Sequence, residues 1–220
     1  MNLPNRSILI FTASLLASIA GYATPLTIGE IVAVKEVSVS PGRVVSIHAS
    51  TLGDQSVWAG ITNLLVDGLP VNSLCIDPFQ WSSNSPLNYV VTDLAAAPIG
   101  VYAMGGDSAN KIKNLWAMNF ASALSDLTGK TAAGLQIAIW ETLGGTNFSV
   151  VGDDYNAGTM ISNLSDYQGL GADLVGLSNE LNQDYVVQNV PDGGVTIALL
   201  GVGLLALAAF RKLRATGIHG

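Results

Sequence analysis

The period of the hydrophobic pattern changes once along this 220-residue chain, near Gly106. Before that point, apolar and polar residues alternate within residues 30–50, 57–77 and 87–94, which predicts short strands. Pro41-Gly42 and Asp67-Gly68 interrupt the first two segments. Both pairs are turn signals, and Asp-Gly is among the strongest short cues for a hairpin.

After Gly106 the apolar residues recur at steps of three and four. This predicts a helix in residues 107–127, capped by Asp107 or Ser108. The apolar residues of this helix are Ile112, Leu115, Trp116, Phe120 and Leu124. A second helix is predicted between a cap at Thr131 and an end at Gly144-Gly145, then a strand at 147–151 and a third helix within 165–182. Strands first and helices later predict an α+β domain, with a β-rich sandwich-like or barrel-like N-terminal part and a small helical subdomain.

The N-terminus has the layout of a secretory signal peptide. Arg6 precedes an apolar run over residues 8–19, and small residues then allow cleavage after Ala20 or Ala23. A membrane anchor that is not cleaved is the alternative, but the run is shorter than the roughly 20 apolar residues of a spanning helix. We therefore predict a signal peptide at residues 1–23 and an exported protein.

The C-terminal part combines three features in a fixed order. A Pro/Gly joint comes first, an uncharged apolar stretch over residues 195–210 follows, and a basic cluster ends the series. The joint consists of Val190, Pro191, Asp192, Gly193 and Gly194, and the cluster of Arg211, Lys212 and Arg214. Sixteen helical residues span about 24 Å, so the stretch is a marginal stop-transfer helix with the basic cluster on the cytoplasmic side.

This order of parts resembles the PEP-CTERM sorting tail of Gram-negative bacteria, in its Val-Pro-Asp variant. The resemblance covers residues 190–214, and a terminal extension at 215–220 follows. It implies processing by exosortase after a transient stay in the inner membrane, and a final place at the cell surface, in the outer envelope or outside the cell. An ordinary membrane anchor is the alternative. Residues 24–189 are left as one extracellular domain.

The charge of residues 24–190 excludes one class of partner. Fifteen of the sixteen acidic residues lie there with only five of the nine basic ones, so the net charge is about −10. Such a surface repels nucleic-acid phosphates. We also find no metal-ligand spacing around His48, no nucleophile elbow and no nucleotide-binding loop, so we predict no metal, no cofactor and no enzyme.

Cys75 is the only cysteine of the chain, so it cannot form an internal disulfide. A free thiol outside the cell is prone to oxidation, which argues that Cys75 is buried or chemically occupied. A thiol beside a glutamine amide can attack its carbonyl and expel ammonia, which leaves an internal thioester. The alternative is a small, buried and unreactive side chain.

Two short motifs resemble those of the thioester domains of bacterial surface adhesins. The first is Leu74-Cys75-Ile76 and the second is Leu135-Gln136-Ile137-Ala138-Ile139, extended by Trp140. The resemblance implies that Cys75 is the thiol and Gln136 the acyl donor. Trp140 lies one helical turn after Gln136, so its ring could shield the bond from water. Asp77 or Glu141 would steer an incoming amine.

Together these observations predict an exported protein of the cell surface or extracellular matrix that attaches to its target. The target would be a surface or matrix polymer or an amine-bearing protein, joined covalently through Cys75 and Gln136. The alternative is a structural or carbohydrate-binding envelope protein without covalent chemistry, for which Trp58, Trp81 and Tyr89 are the exposed aromatic residues to test, since flat rings stack on sugars. An extracellular hydrolase lacks an identifiable pair of carboxylates.

Overall fold

The computed structural model describes residues 25–98 and 103–189 of the chain. The predicted signal peptide and sorting tail lie outside these residues. The described strands are β1 (Ile31–Ala49), β2 (Gly53–Val66), β3 (Leu69–Cys75), β4 (Leu87–Asp93), β5 (Phe148–Val151), β6 (Leu174–Asn179) and β7 (Asn182–Gln188). The described helices are α1 (Gly105–Ser125), α2 (Lys130–Gly144) and α3 (Ala157–Ser162), with single 3-10 turns at Leu94–Ala96, Gly145–Asn147 and Asn163–Asp166.

The strand pairing closes a barrel. Neighbouring strands follow the order β2-β3-β7-β6-β4-β1, and β1 pairs with β2 as well, so six antiparallel strands form a ring. β5 pairs with the last four residues of β1 and extends the sheet beyond the ring. The α+β class is confirmed, and its β-rich part takes the barrel-like form.

β1 is one long strand, and the turn predicted at Pro41-Gly42 is wrong. The strand pairs with β2 on both sides of this point, and register shifts between Glu36 and Ser38 and between Val39 and Gly42 mark the irregular stretch. A bulge tolerates proline because the missing N–H is not required by the ladder. Gly42 also lets β2 approach closely, since a Cβ there would lie 2.7 Å from the carbonyl oxygen of Ala59.

The predicted hairpin at Asp67-Gly68 is confirmed. Val66 pairs with Leu69 across a two-residue loop. Asp67 has a φ of 49° and Gly68 a φ of 81°. Two successive positive φ angles define the type I′ turn, whose twist suits adjacent antiparallel strands.

One hydrophobic cluster, the barrel core, lies inside the ring of strands. Its two tyrosine rings, Tyr89 and Tyr185, have centroids 5.9 Å apart. Tyr89 was predicted to be exposed, and this is wrong: it is 2% exposed, because alternation along β4 directs it inward. The barrel core consists of Val32, Val34, Leu64, Val66, Tyr89, Val91, Val175, Leu177, Tyr185 and Val187.

A second cluster, the sheet–helix core, lies between the strands and the helices. α2 is at its centre and is buried on every side from Ala132 to Trp140. A Cβ on Gly134 would collide with the carbonyl oxygen of Tyr155, so glycine lets the chain before α3 pass close to α2. The large buried members of this core include Val45, Ile47, Ile61, Leu74, Ile76, Ile112, Leu115, Trp116, Leu135, Ile137, Ile139 and Trp140.

The first two helices are confirmed, but their starts differ from the prediction. α1 is capped by Met104, so Asp107 and Ser108 lie in its first turn. α2 is capped by Gly129, and the carboxylate of Asp126 accepts from both the N–H and the hydroxyl of Thr131, at 2.9 and 2.8 Å. A carboxylate from the preceding loop therefore takes the capping role predicted for Thr131.

The third predicted helix, within residues 165–182, is wrong. That segment starts within the 3-10 turn Asn163–Asp166 and then contains β6, which forms a hairpin with β7, while α3 lies earlier in the chain. The first five residues of β6, Leu174 to Ser178, are all buried. A strand buried on both faces shows no alternation, so its apolar run cannot be distinguished from a helix by period.

Candidate functional site

Cys75 is the last residue of β3, at a place where one edge of that strand has lost its neighbour. The ladder between β2 and β3 ends at the Thr62–Ser73 pair, whereas the ladder with β7 continues to Cys75–Tyr185. The backbone N–H and C=O of Cys75 on the uncovered edge therefore need other partners, because buried backbone groups are almost always paired.

The side chain of Gln136 supplies both partners. Its Oε1 accepts from the backbone N–H of Cys75 at 2.9 Å, and its Nε2 donates to the backbone carbonyl of Cys75 at 2.8 Å. Gln136 is 1% exposed in the middle of α2, and Cys75 is 3% exposed. The structure thus brings together the two residues predicted from separate motifs, 61 positions apart in the chain.

The sulfur of Cys75 has two polar contacts. The indole N–H of Trp140 donates to Sγ at 3.2 Å, and the thiol donates to the carbonyl oxygen of Asp77 at 3.3 Å. Burial raises the pKa of the thiol well above its ordinary value, while the hydrogen bond from Trp140 acts in the opposite direction. Trp140, predicted as a shield, thus contacts the sulfur directly.

Cys75, Gln136 and Trp140 line one cavity of about 530 Å³, which we call the thiol cavity. Its other lining residues include Glu36 and Gln80, and also Trp58 and Trp81, which are 58% and 56% exposed. The cavity therefore extends from two exposed aromatic rings to the buried sulfur.

Neither of the two acids that sequence reasoning assigned to amine steering lines the thiol cavity. Asp77 is 1% exposed, and it lines a separate cavity of about 110 Å³ with Pro98, Met104 and Leu143. Burial raises the pKa of Asp77, and burial followed by the charge of Asp154 raises the pKa of Glu141. The carboxylate that lines the thiol cavity belongs to Glu36.

Sequence reasoning missed Glu36 and Gln80. Glu36 lies two and four residues after Val34 and Val32, which are both buried. A carboxylate at the inward step of an alternating strand is a signal that was available. The hydroxyl of Tyr185 donates to Oε2 of Glu36 at 2.8 Å and fixes its position. Gln80 lies in a loop and carries no comparable pattern.

Residues 25–98 and 103–189 contain neither a metal-ligand cluster nor a helix suited to span a membrane. No group of three or more His, Cys, Asp and Glu side chains there is placed to hold a metal ion. None of the helices in these segments has the length and apolar character needed to cross a bilayer. The apolar stretch 195–210 and the basic residues Arg211, Lys212 and Arg214 lie outside them.

Comparison with known proteins places the chain among exported, surface-targeted proteins. Residues 189–214 match the VPDSG-CTERM motif, a sorting signal of the PEP-CTERM kind. Gly193 occupies the position of the serine in the name of the motif. The match contains the predicted joint, apolar stretch and basic cluster.

No curated protein matches the chain. Among solved structures, it is similar to the N-terminal thioester domain of a surface protein from Clostridium perfringens. The TM-score is 0.43 and the identity 9%, over 72% of this chain and 98% of that one.

Proposed function

We propose that this exported protein attaches covalently to an amine-bearing target through an internal thioester between Cys75 and Gln136. One observation carries the proposal: the amide of Gln136 is held against the backbone of the residue that carries the thiol. Gln136 carries the only amide side chain between Ala132 and Trp140, and both of its polar atoms bind the backbone of Cys75.

The surrounding groups suit the formation of the thioester. Attack of Sγ on the amide carbon of Gln136 places negative charge on Oε1, which already accepts from the backbone N–H of Cys75. A preorganised donor at the developing oxyanion lowers the barrier to acyl transfer. The nitrogen leaves as ammonia, and the thiol proton accompanies it. Burial raises the pKa of the Cys75 thiol, and the hydrogen bond from the N–H of Trp140 opposes that rise.

The second step transfers the acyl group to the target. A neutral amine attacks the same carbon, the carbon–sulfur bond breaks, and the sulfur takes up the proton that the amine loses. The products are an amide at Gln136 and a free thiol at Cys75. Each molecule reacts once, so the protein is consumed in its reaction and is not an enzyme.

Sorting by exosortase completes this proposal. The VPDSG-CTERM match supports recognition of Val190 to Gly194 by a sorting enzyme. In this proposal, residues 195–210 would stay in the inner membrane until processing, with the basic cluster on its cytoplasmic side. Processing would then deliver the domain to the surface, where amine-bearing polymers and proteins are accessible.

The test is the intact mass of the exported protein before and after treatment with methylamine. We expect a mass that is short by one ammonia, and then a methylamine adduct that peptide mapping places at Gln136. Cys75→Ala and Gln136→Glu should both show the full mass. Gln168→Glu is the matched control, because it makes the same chemical change at an exposed glutamine and should leave the thioester intact.

A full mass, together with a thiol that is alkylated only after denaturation, would overturn the covalent proposal. The second candidate, a carbohydrate-binding envelope protein with an unreactive thiol, would then account for the exposed rings of Trp58 and Trp81. In that case, glycan binding would be lost in Trp81→Ala and unchanged in Cys75→Ala.

A further inference from the structure

The exposed aromatic rings and the buried reactive pair belong to one cavity. Trp58 on β2 and Trp81 in the loop after β3 line the thiol cavity, although more than half of each residue is exposed. Neither ring stacks on another aromatic ring within the described segments. Large apolar rings exposed to water at a cavity are typical of binding sites for ligands with flat apolar faces.

Two residues that line the thiol cavity, Gln80 and Glu36, carry acceptor atoms that a ligand could use. Oε1 of Gln80 is buried and has no hydrogen-bond partner in the described structure. Glu36 adds a carboxylate, of which one oxygen is held by Tyr185. A buried acceptor without a partner costs free energy unless a ligand or water donates to it. A complementary ligand therefore carries several donors.

The charge of the thiol cavity further limits the chemical class of its ligand. The lining residues of the thiol cavity include Glu36 but no lysine or arginine among the residues that the structure describes. An anionic polymer would meet a carboxylate without a compensating cation, which disfavours it. An ammonium group would be attracted to the same carboxylate and to the faces of the tryptophan rings.

The volume of the thiol cavity favours a sugar over a single alkyl chain as its ligand. The volume of about 530 Å³ lies within the range of roughly 300–1,000 Å³ that is usual for small-molecule sites. The side chain of one lysine would leave the exposed rings and the acceptor of Gln80 without partners. A saccharide unit has flat faces for the rings and hydroxyl groups for the acceptors, and an amino sugar also has the nucleophile.

We infer that the target of this site is an amino sugar within a polysaccharide, which contacts Trp58 and Trp81 and is joined through its amine to Gln136. This inference rests on the proposed function. The ammonium group first pairs with Glu36 and loses a proton to solvent. The free amine then attacks the thioester carbon, Sγ of Cys75 leaves and is protonated, and an amide links the sugar to the protein.

The experiment compares amines that differ in whether a sugar carries them. The exported protein is incubated with a glucosamine trimer, with Nα-acetyl-lysine methylamide or with methylamine, and adducts are followed by intact mass. Rates are expressed per concentration of unprotonated amine. The fully N-acetylated trimer has the same rings without a free amine, so it should form no adduct and should slow the reaction of the glucosamine trimer.

We expect the glucosamine trimer to react at least about tenfold faster than the lysine derivative, a difference equivalent to one anchoring aromatic contact. The ratio of these two rates should fall towards one in Trp58→Ala/Trp81→Ala, and it should also fall in Glu36→Gln. Leu127→Ala removes an exposed apolar side chain from the turn between α1 and α2 and should keep the ratio. A ratio cancels any change in the amount of thioester.

The other outcomes separate the two proposals. Absence of a methylamine adduct would overturn the proposed function and this inference together. Reaction with methylamine, but no preference for the glucosamine trimer, would overturn the sugar assignment and leave the proposed function standing. A hydroxylamine-labile adduct with the N-acetylated trimer would show attack by a hydroxyl group and overturn the assignment of an amine.

Discussion

The two hydrophobic cores of this protein differ in how they treat polar groups. In the barrel core, the polar side-chain atoms are the hydroxyl groups of Tyr89 and Tyr185, which donate to the carbonyl of Gln183 and to Glu36. In the sheet–helix core, the amide of Gln136 binds the backbone of Cys75 and the indole N–H of Trp140 donates to its thiol, where burial is nearly complete. The barrel core fills the ring of strands, whereas the sheet–helix core contains a buried polar cluster.

The difference shows where the fold buries a polar side chain, which is unfavourable unless that side chain is hydrogen-bonded. A buried amide is tolerated only when its donors and acceptor are paired, and Gln136 is paired through the open edge of β3. The short ladder between β2 and β3 therefore explains the cluster around Cys75. Because that ladder ends at Ser73, the backbone N–H and C=O of Cys75 are left to bind the side chain of Gln136.

Removal of a large side chain should have the largest effect on both cores. Leu135→Ala in the sheet–helix core and Leu177→Ala in the barrel core each truncate a leucine that is fully buried. Each should lower the free energy of unfolding by about 2–5 kcal/mol in urea titrations. Only Leu135→Ala, which lies next to Gln136, should also lower the fraction of protein that lacks one ammonia. Equal fractions in the two variants would contradict this division of roles.

Loss of the Gln136 amide should come next. In a Cys75→Ala background, where no thioester can form, Gln136→Leu leaves one N–H and one C=O of the backbone unpaired. The free energy of unfolding should fall by about 1–3 kcal/mol. Gln168→Leu changes an exposed glutamine in the same way and should stay within about 0.5 kcal/mol of its parent. If the two variants were equal, the hydrogen bonds to Cys75 would contribute nothing.

Removal of the hydroxyl group of Tyr185 or of Tyr89 should lower the free energy of unfolding by a smaller amount, and the two losses should differ. Tyr185→Phe removes a donor to the Glu36 carboxylate and should cost about 1–2 kcal/mol, because bonds to charged groups are stronger. Tyr89→Phe removes a donor to a neutral carbonyl at 3.0 Å and should cost about 0.5–1.5 kcal/mol. Thermal or urea unfolding at pH 7 measures both. The reverse order would show that solvent screens Glu36 fully.

The smallest effect should be a dependence on pH that originates at Asp77. Burial raises the pKa of Asp77, and the N–H of Phe79 opposes this through a hydrogen bond of 2.9 Å. A carboxyl with a raised folded pKa contributes stability below the unfolded value of about 4, and that stability is lost as pH rises through the folded value.

Asp77→Asn keeps an acceptor for the N–H of Phe79 and removes the ionisation. The stability of the wild type relative to this variant should therefore decline between about pH 4 and neutrality, measured by urea unfolding at a series of pH values. A relative stability that rises over this range would mean that the carboxylate is favoured in the folded state.

The sequence was most informative where local chemistry decides the structure. Asp67-Gly68 specifies its own hairpin, and the spacing from Ile112 to Trp116 specifies one face of α1, because these signals depend on neighbours in the chain. Pro41-Gly42 gave the same local signal and the wrong structure. There, pairing of β1 with β2 on both sides outweighs the preference for a turn.

The candidate site shows the same division. Cys75, Gln136 and Trp140 could be singled out by residue type and by resemblance, and the structure places them in contact. Glu36, Gln80 and the cavity they share with Trp58 and Trp81 depend on how β1, β2 and the loop after β3 meet. No short motif encodes how these three elements pack together. The burial of Tyr89 has a different cause, since alternation along β4 directs its side chain inward.

The position of β7 has a mechanical consequence. This strand lies between β3 and β6, and it ends at Gln188, directly before the residues that match the sorting motif. A pull applied at Gln188 along the axis of β7 would act on both of its ladders. Antiparallel hydrogen bonds lie perpendicular to the strand, so such a force shears the bonds on both edges together instead of opening them one at a time. The two ladders of β7 would therefore resist such a force together.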